Sequence, residues 1–276
     1  MSAQHPDGAV LSIHDAELRL GTRTLWSGLD LDVAPGQFVA VLGANGSGKT
    51  SLLRAILGQH ELSAGDIRVL GERAHRGNRR IGYIPQQRLA DEGTALRGRD
   101  LVRLGIDGHR FGVGLPSRSR RAQVDAALED VGATHFANVP VARLSGGEQQ
   151  RLRVGQALAG QPALLLCDEP LLSLDLKQQR TVSDLIDDNR KQRGFGVLFV
   201  THDVNPILGA VDRVLYLAGG RFSIGTPDEV LRSDVLSDLY GSPVDVIRSG
   251  DRVVIVGAPD QSHAHEHEHD HAGDLP

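Results

Sequence analysis

The chain has 276 residues, of which 40% are hydrophobic, and a formal net charge of -5 at pH 7. This mildly acidic balance argues against a nucleic-acid partner, because such a partner requires a clustered excess of Lys and Arg. The single cysteine, Cys167, excludes a disulfide framework within the chain and fits a reducing compartment.

The first part of the chain has the alternation of apolar and polar residues that is typical of strands. This alternation extends from Val10 to Val41. Pro35-Gly36 marks a turn within it, and the apolar run Phe38–Leu42 predicts a buried strand that leads into a Gly-rich loop. Residues 51–57 then have helical composition, so a strand, a loop and a helix follow one another directly.

The middle of the chain predicts a helical insert, because strand patterns fade between residues 89 and 140. Helical spacing is clearest from Ala122 to Val131. From Leu144 onward, strands and helices alternate, which predicts a largely parallel sheet. The later predicted elements are a helix to residue 159, a strand over 163–167, a helix near 177–192, strands over 196–200 and 213–217, and a hairpin over 244–256.

No segment resembles a membrane anchor or a secretion signal. The longest apolar runs, such as residues 163–167, fall far short of the roughly 18 residues that a membrane-spanning helix needs. No N-terminal stretch has a basic head followed by an apolar run. The sequence therefore predicts a cytoplasmic protein. If it acts at the inner face of the membrane, a partner would have to hold it there.

The residues from Gly43 to Thr50 match the phosphate-binding pattern G-x-x-x-x-G-K-[ST]. Glycines allow successive N–H groups to face one anion, and the start of the following helix adds partial positive charge. Lys49 is predicted to contact the β- and γ-phosphates of a nucleotide, and Thr50 to bind Mg²⁺. The predicted cradle comprises Gly43, Ala44, Asn45, Gly46, Ser47, Gly48, Lys49, Thr50 and Ser51.

Two acidic residues, Asp168 and Glu169, follow an apolar strand. A carboxylate at the carboxyl end of a buried parallel strand lies where α/β sheets bind ligands. Asp168 is predicted to hold Mg²⁺. Side chains alternate along an extended chain, so Glu169 points elsewhere and is predicted to polarise the attacking water.

A second anion-binding helix start is predicted at Ser145-Gly146-Gly147, which precedes the helix that ends near residue 159. The octapeptide Leu144–Arg151 reads LSGGEQQR and closely resembles the signature of ATP-binding cassette (ABC) proteins. In that family, the signature of one subunit closes over ATP held by the phosphate loop of another. The resemblance therefore implies that Ser145, Gly146, Gly147 and Glu148 contact the nucleotide in a homodimer.

Three further segments resemble ABC motifs and follow the family's order along the chain. Residues 81–86 resemble the Q-loop, which implies that Gln86 contacts Mg²⁺ and reports to the membrane partner. Residues 173–175 resemble the D-loop, which implies that Asp175 lies at the dimer interface. Residues 200–203 resemble the switch, which implies that His202 contacts the γ-phosphate.

The resemblance covers about residues 10–245 and implies an α/β fold of the P-loop NTPase class. This ABC ATPase fold has a RecA-like core, an antiparallel β subdomain and a helical subdomain, here about residues 89–155. A hairpin end over 246–260 and a His-rich tail over 261–276, expected to be disordered, complete the predicted organisation. One departure concerns adenine stacking: Leu20 stands where the family usually has Tyr or Phe, and Trp26 is interpreted as a packing residue.

A chain with one phosphate loop, one signature and no membrane span resembles the ATPase subunit of an importer. Such a subunit works with an integral-membrane permease and, indirectly, with an external substrate-binding protein. The Asn205-Pro206 pair after the switch resembles the zinc- and manganese-uptake branch. Haem and siderophore importers, and ABC ATPases that act outside transport as partner-binding switches, remain alternatives.

The tail is a possible Zn²⁺ site, because imidazole and carboxylate groups alternate in it. The alternative interpretation is a solvated polar tail. The five candidate ligands are His263, His265, His267, His269 and His271.

Overall fold

The computed structural model describes residues 8–86, 96–108 and 117–257. The His-rich residues 261–276 lie outside these ranges, so their predicted metal binding and disorder stay predictions. None of the helices in the described ranges is long and apolar enough to cross a membrane.

The centre of the molecule is a six-stranded sheet with the order β10-β9-β3-β8-β7-β6. Every neighbouring pair is parallel except β9 and β10, which are antiparallel. The predicted parallel sheet is therefore confirmed. Its strands are β3 (Phe38–Gly43), β6 (Ile81–Ile84), β7 (Leu164–Asp168), β8 (Gly196–Val200), β9 (Arg213–Ala218) and β10 (Arg221–Gly225).

A second, antiparallel sheet combines the first two strands of the alternating first part of the chain with two later strands and has the order β2-β1-β4-β5. Its strands are β1 (Leu11–Leu20), β2 (Arg23–Val33), β4 (Ala64–Val69) and β5 (Glu72–Arg73). Trp26 on β2 is fully buried, as its interpretation as a packing residue requires. Leu20 ends β1 and stays 45% exposed.

Helices pack on the central sheet and beside it. The helix that follows the phosphate loop is α1 (Lys49–Ile56), and the described parts of the predicted insert hold α2 (Gly98–Asp107) and α3 (Arg118–Asp130). Both insert helices pack against α4 (Gly146–Ala159). The remaining helices are α5 (Leu176–Arg193), α6 (Pro227–Val230) and α7 (Ser233–Tyr240), followed by the hairpin strands β11 (Asp245–Ser249) and β12 (Arg252–Val256).

The central strands are apolar on both faces because each face borders a separate hydrophobic cluster. On β3, Val39 and Val41 face the cluster shared with α1 and the antiparallel sheet, whereas Phe38 and Ala40 face the cluster shared with α2 to α5. Cys167 on β7 belongs to the second cluster and is fully buried, so it packs as a small apolar residue. Because β3 and β7 both run parallel to β8, their carboxyl ends lie at the same edge of the sheet.

Candidate active site

The predicted phosphate loop bends sharply between β3 and α1, and its glycines are needed there. Gly48 caps α1 with a φ of 98°, in the left-handed region that glycine favours. A Cβ on Gly48 would lie 3.0 Å from the buried Trp26 ring, so the loop packs directly on the indole at this position. A Cβ on Gly43 would lie 2.0 Å from the carbonyl oxygen of Leu217 on β9. Side chains at either position would displace the loop.

Lys49 is buried and folded back over the phosphate loop. Its Nζ donates to the carbonyl oxygens of Gly43 at 2.6 Å and Ala44 at 3.0 Å. Burial lowers the pKa of Lys49, although the carboxylates of Glu169 and Asp168 act in the opposite direction. Ser47 Oγ is buried without a hydrogen-bond partner among the described residues. A triphosphate fits this cradle, since it offers acceptors to both side chains.

Asp168 ends β7 beside α1, where two hydroxyl groups donate to its carboxylate. Thr50 Oγ1 lies 3.1 Å from Oδ1, and Tyr83 Oη lies 3.3 Å from Oδ2. Burial raises the pKa of Asp168, and burial together with Asp168 raises the pKa of Tyr83 to about 12. Oxygen ligands from Thr50 and Asp168 suit Mg²⁺. The part of the chain that the structure describes contains no cluster of three or more His, Cys, Asp or Glu side chains suited to a metal ion.

Glu169 follows β7 with a φ of 48°, an uncommon conformation for a residue with a side chain. Glu169 therefore does not continue the strand, so the alternation argument does not apply to it; its side chain contacts His202, whereas that of Asp168 contacts Thr50 and Tyr83. Glu169 Oε2 lies 3.4 Å from Nδ1 of His202, whose side chain is 58% exposed. Gln86, Glu169 and Ser173 line one cavity. Three of the predicted reactive residues, Gln86, Glu169 and His202, are therefore close together.

The predicted signature begins α4 with a capping box. Ser145 Oγ accepts from the N–H of Glu148 at 3.4 Å, and the Glu148 carboxylate accepts from the N–H and hydroxyl of Ser145 at 2.9 and 2.8 Å. These bonds lower the pKa of Glu148. The carboxylate of Glu148 is thus engaged within its own helix start, while the Gly146 and Gly147 N–H groups lie at the amino end of α4.

The start of α5 lies beside this helix start within the same chain. Asp175 Oδ1 accepts from the N–H of Gln178 at 2.8 Å and caps α5. A Cβ on Gly147 would lie 2.8 Å from the Gln178 side chain. No hydrogen bond or ion pair of the described residues joins Ser145, Gly146, Gly147, Glu148 or Asp175 to the phosphate loop. The predicted signature and the predicted phosphate loop are thus not joined by hydrogen bonds or ion pairs of the described residues within one chain.

Two residues near the site were not predicted from the sequence. Tyr83 contacts Asp168 because β6 is the neighbour of β7, and strand order is not readable from a single sequence. Arg23 donates from Nη2 to the carbonyl oxygen of Gly46 at 3.1 Å, and it pairs across the antiparallel sheet with Leu20. The predicted adenine-stacking position, Leu20, therefore lies at the rim of the phosphate loop.

The chain is similar to known proteins over most of its length. A protein-family model described as "ABC transporter" matches residues 26–172. The chain is 37% identical to the zinc import ATP-binding protein ZnuC of Cereibacter sphaeroides over 232 residues, covering 84% of this chain and 88% of the relative. It is also 37% identical to the aliphatic sulfonates import ATP-binding protein SsuB 2 of Pseudomonas syringae pv. syringae, covering 79% and 72%.

Among solved structures, the chain resembles a subunit of an inward-facing metal-chelate type ABC transporter. The TM-score is 0.76 and the sequence identity 27%, with 90% of this chain and 96% of the other covered. Similarity to cbiO1 of Clostridium perfringens, with a TM-score of 0.72 and 24% identity over 84% of this chain and 94% of the other, supports the fold alone.

Proposed function

The chain belongs to the ABC transporter family, and on that premise we propose that it is the ATPase subunit that energises an importer for zinc or manganese. ATP hydrolysis itself is common to the family. The observation that carries the proposal for the site is the convergence of Lys49, Asp168, Glu169 and His202 at one edge of the central sheet. The proposed cargo is supported by sequence identity to zinc import proteins over most of the chain.

Each side chain has a role that follows from its position. The phosphate loop and Lys49 bind the triphosphate, and Thr50, Asp168 and Gln86 hold Mg²⁺. Mg²⁺ supplies charge neutralisation of the phosphate oxygens when it is bound. Glu169 accepts a proton from the attacking water, and His202, beside Glu169, donates a hydrogen bond to the γ-phosphate.

We further propose that two copies of the chain form two composite sites. This is supported by the amino end of α4, where Ser145 and Gly146 are exposed and where no hydrogen bond of the described residues reaches the chain's own phosphate loop. An anion held by Lys49 of one copy would meet the helix start of the other. Asp175, at the neighbouring start of α5, would lie at the same interface.

The composite site is tested by mixing two inactive variants. Lys49→Ala removes the phosphate-binding charge, and Ser145→Arg fills the opposing helix start. Each variant alone should lack ATPase activity, whereas the mixture should regain one working site per heterodimer. Ser145→Arg should still bind ATP with wild-type affinity as a monomer, and loss of that binding would contradict the arrangement in trans.

The dimer is proposed to lie on the inner face of the membrane against an integral-membrane permease, which an external substrate-binding protein supplies. Zinc is favoured because zinc import proteins of three bacteria are 33–37% identical to this chain over 84–85% of its length. Metal chelates are a second candidate cargo, favoured by the similarity to a metal-chelate type transporter.

The cargo is tested in the source organism by deleting the gene under zinc limitation. Growth with a zinc chelator should fail, should return with added zinc, and should return with a plasmid copy of the wild-type gene but not with a Glu169→Gln copy. Normal growth of the deletion strain under zinc limitation, together with failure to use haem or a siderophore complex as an iron source, would identify the second candidate. Normal growth under zinc limitation together with failure to use a sulfonate as a sulfur source would contradict both.

A further inference from the structure

Asn205 connects the segment after β8 with the C-terminal hairpin. Its side-chain Oδ1 accepts from the N–H of Val253 at 2.8 Å, and its Nδ2 donates to the carbonyl oxygen of Val253 at 2.9 Å. Both hydrogen bonds involve one buried residue of β12. The amide therefore pairs with β12 as the backbone of a neighbouring strand would.

The same residue is bonded to the segment that carries His202. The backbone N–H and the Nδ2 of Asn205 both donate to Oδ1 of Asp203, at 2.9 and 2.7 Å. Asp203 in turn donates its N–H to Thr201 Oγ1 at 3.1 Å and accepts from that hydroxyl at 2.8 Å. A continuous set of hydrogen bonds thus runs from β12 to the residues on both sides of His202.

The hairpin offers a fixed support for this connection. The N–H of Val246 donates to Ser233 Oγ at 2.9 Å, and the N–H of Val244 donates to Ser237 Oγ at 2.9 Å. Arg248 forms an ion pair with Asp228 at 2.9 Å. Val253 belongs to the hydrophobic cluster that α2 to α5 share with the central sheet. β12 is thus held by both packing and hydrogen bonds.

His202 needs such support because it lies on an irregular segment. Residues 201–207 form neither a helix nor a strand, and beyond the bond from the Thr201 N–H to the Val41 carbonyl oxygen the N–H groups of residues 202–205 form no backbone–backbone hydrogen bond among the described residues. The His202 side chain is mostly exposed and lies 3.4 Å from Glu169. A displacement of about 1 Å is enough to lower a catalytic rate by up to ~10²-fold.

We propose that Asn205 is a positioning residue for ATP hydrolysis, and that its paired hydrogen bonds to β12 hold His202 in place beside Glu169. The C-terminal hairpin is then part of the catalytic apparatus and not only a terminal appendage. This inference rests on the role proposed for His202.

A double-mutant cycle in the full chain tests the proposal, using wild type, Asn205→Ala, His202→Ala and the double variant. Asn205→Ala should lower kcat about tenfold and leave KM for ATP nearly unchanged, because the phosphate loop is untouched. The double variant should be no slower than His202→Ala, since Asn205 acts through the histidine.

Asn189→Ala is the matched control. Asn189 is buried, whereas Asn205 is half-buried; Asn189 donates from Nδ2 to the carbonyl oxygen of Leu185 at 2.9 Å, but it lies within α5. Its loss should lower the melting temperature as the loss of Asn205 does, while kcat stays at the wild-type value. Stability and positioning are thereby separated.

Three results would overturn the proposal. The first is wild-type kcat in Asn205→Ala, and the second is an equally large loss of rate when Asn205→Ala is added to His202→Ala. The third, wild-type turnover in His202→Ala, would overturn both the proposal and the role of His202 on which it rests. If Asn205→Ala does not fold, Asn205→Asp keeps the side chain's size but loses the Nδ2 donors, and wild-type kcat there would also overturn it.

Discussion

Two groups of charged side chains, one around Arg190 and one around Lys49 and Asp168, differ in the partners that they contact. Around Arg190, every charge has an opposite partner: Nε and Nη2 donate to Asp187 Oδ1 at 2.9 and 2.6 Å, and Nη1 donates to Asp212 Oδ2 at 2.9 Å. Asp212 Oδ2 also accepts the N–H of Phe38, which begins β3, at 2.7 Å. This group joins α5 to the central sheet.

Around Lys49 and Asp168, by contrast, the hydrogen bonds are to neutral groups. Lys49 Nζ donates to two carbonyl oxygens, and the Asp168 carboxylate accepts from two hydroxyls. Burial lowers the pKa of Lys49 and raises that of Asp168, so each charged form is disfavoured. Buried charges that lack close ionic partners mark the place where a charged ligand binds.

Asp168→Asn should separate activity from stability most strongly. We expect ATPase activity to fall by roughly 10³-fold, because the amide is a poor ligand for Mg²⁺. The free energy of unfolding measured with urea at pH 7, without nucleotide, should not fall, since a buried charge is removed. Asp184→Asn, an exposed substitution on α5, is the control and should change neither quantity. A marked loss of stability would show that the hydrogen bonds from Thr50 and Tyr83 outweigh the cost of burying the Asp168 carboxylate.

The free energy of unfolding should also depend on pH in a way that reports the burial of Asp168. The pKa of Asp168 is raised in the folded state, so its proton favours folding. That contribution is complete below the pKa of an unfolded aspartate and disappears as pH rises through the folded value. Wild type should therefore gain stability relative to Asp168→Asn as pH falls through the acidic range, as urea titrations at several pH values would measure. A constant difference would contradict the shift.

Arg190→Ala should have the opposite effect to Asp168→Asn. Removal of the guanidinium leaves Asp187 with only the exposed Lys191, at 2.7 Å, as an ionic partner and also breaks the ion pair with Asp212, and the expected loss in the free energy of unfolding is about 3 kcal/mol. The kcat of the folded protein at low temperature should be unchanged. Arg99→Ala, which breaks the exposed pair with Asp125, should cost less than about 1 kcal/mol. Equal losses in the two variants would contradict the distinction.

Leu20→Tyr tests the rim of the nucleotide site, where the expected effect is smaller. A ring that stacks on adenine should tighten ATP binding by about 0.5–1.5 kcal/mol, measured by calorimetry, and should raise the preference for ATP over GTP. Leu70→Tyr, at an exposed apolar position in the turn between β4 and β5, is the control. Unchanged or weaker binding in Leu20→Tyr would mean that another residue already covers the base.

Truncation after Gln261 should have the smallest effect on the folded protein. We expect an unchanged melting temperature and unchanged metal-free ATPase activity, with loss of weak Zn²⁺ binding by calorimetry. In the full chain that binding should fade as pH falls, because protonated imidazole is not a ligand. If the truncated chain binds Zn²⁺ as well as the full chain does, residues 261–276 are only a solvated tail.

The local features of the site were predictable because they are encoded by neighbouring residues. The strand, glycine loop and helix around Lys49 are contiguous, and the two acids follow a run of apolar residues that can only be a buried strand. The capping role of Asp175 was missed, although an acid three residues before Gln178 is a recognisable helix-start signal. Most of the residues proposed to act at the site can therefore be identified from short stretches of the sequence.

The contacts that join distant segments were not predictable from one sequence. Tyr83 meets Asp168 only because β6 and β7 are neighbours, and Arg190 meets Asp212 only because α5 packs beside β9. Asn205 was noted for its resemblance to metal importers, but its bonds to Val253 depend on where the hairpin folds back. Such pairings depend on strand order and packing, which local patterns do not specify.

Glu169→Gln tests the central claim most directly, since the claim is that this edge of the sheet activates water for ATP hydrolysis. The amide cannot accept a proton, so the ATPase rate should fall by ~10³-fold while ATP still binds. Size-exclusion chromatography with ATP should then show a stable dimer, and Glu129→Gln, an exposed change on α3, should behave as wild type. Near wild-type turnover in Glu169→Gln, with no ATP-dependent dimer, would contradict the account.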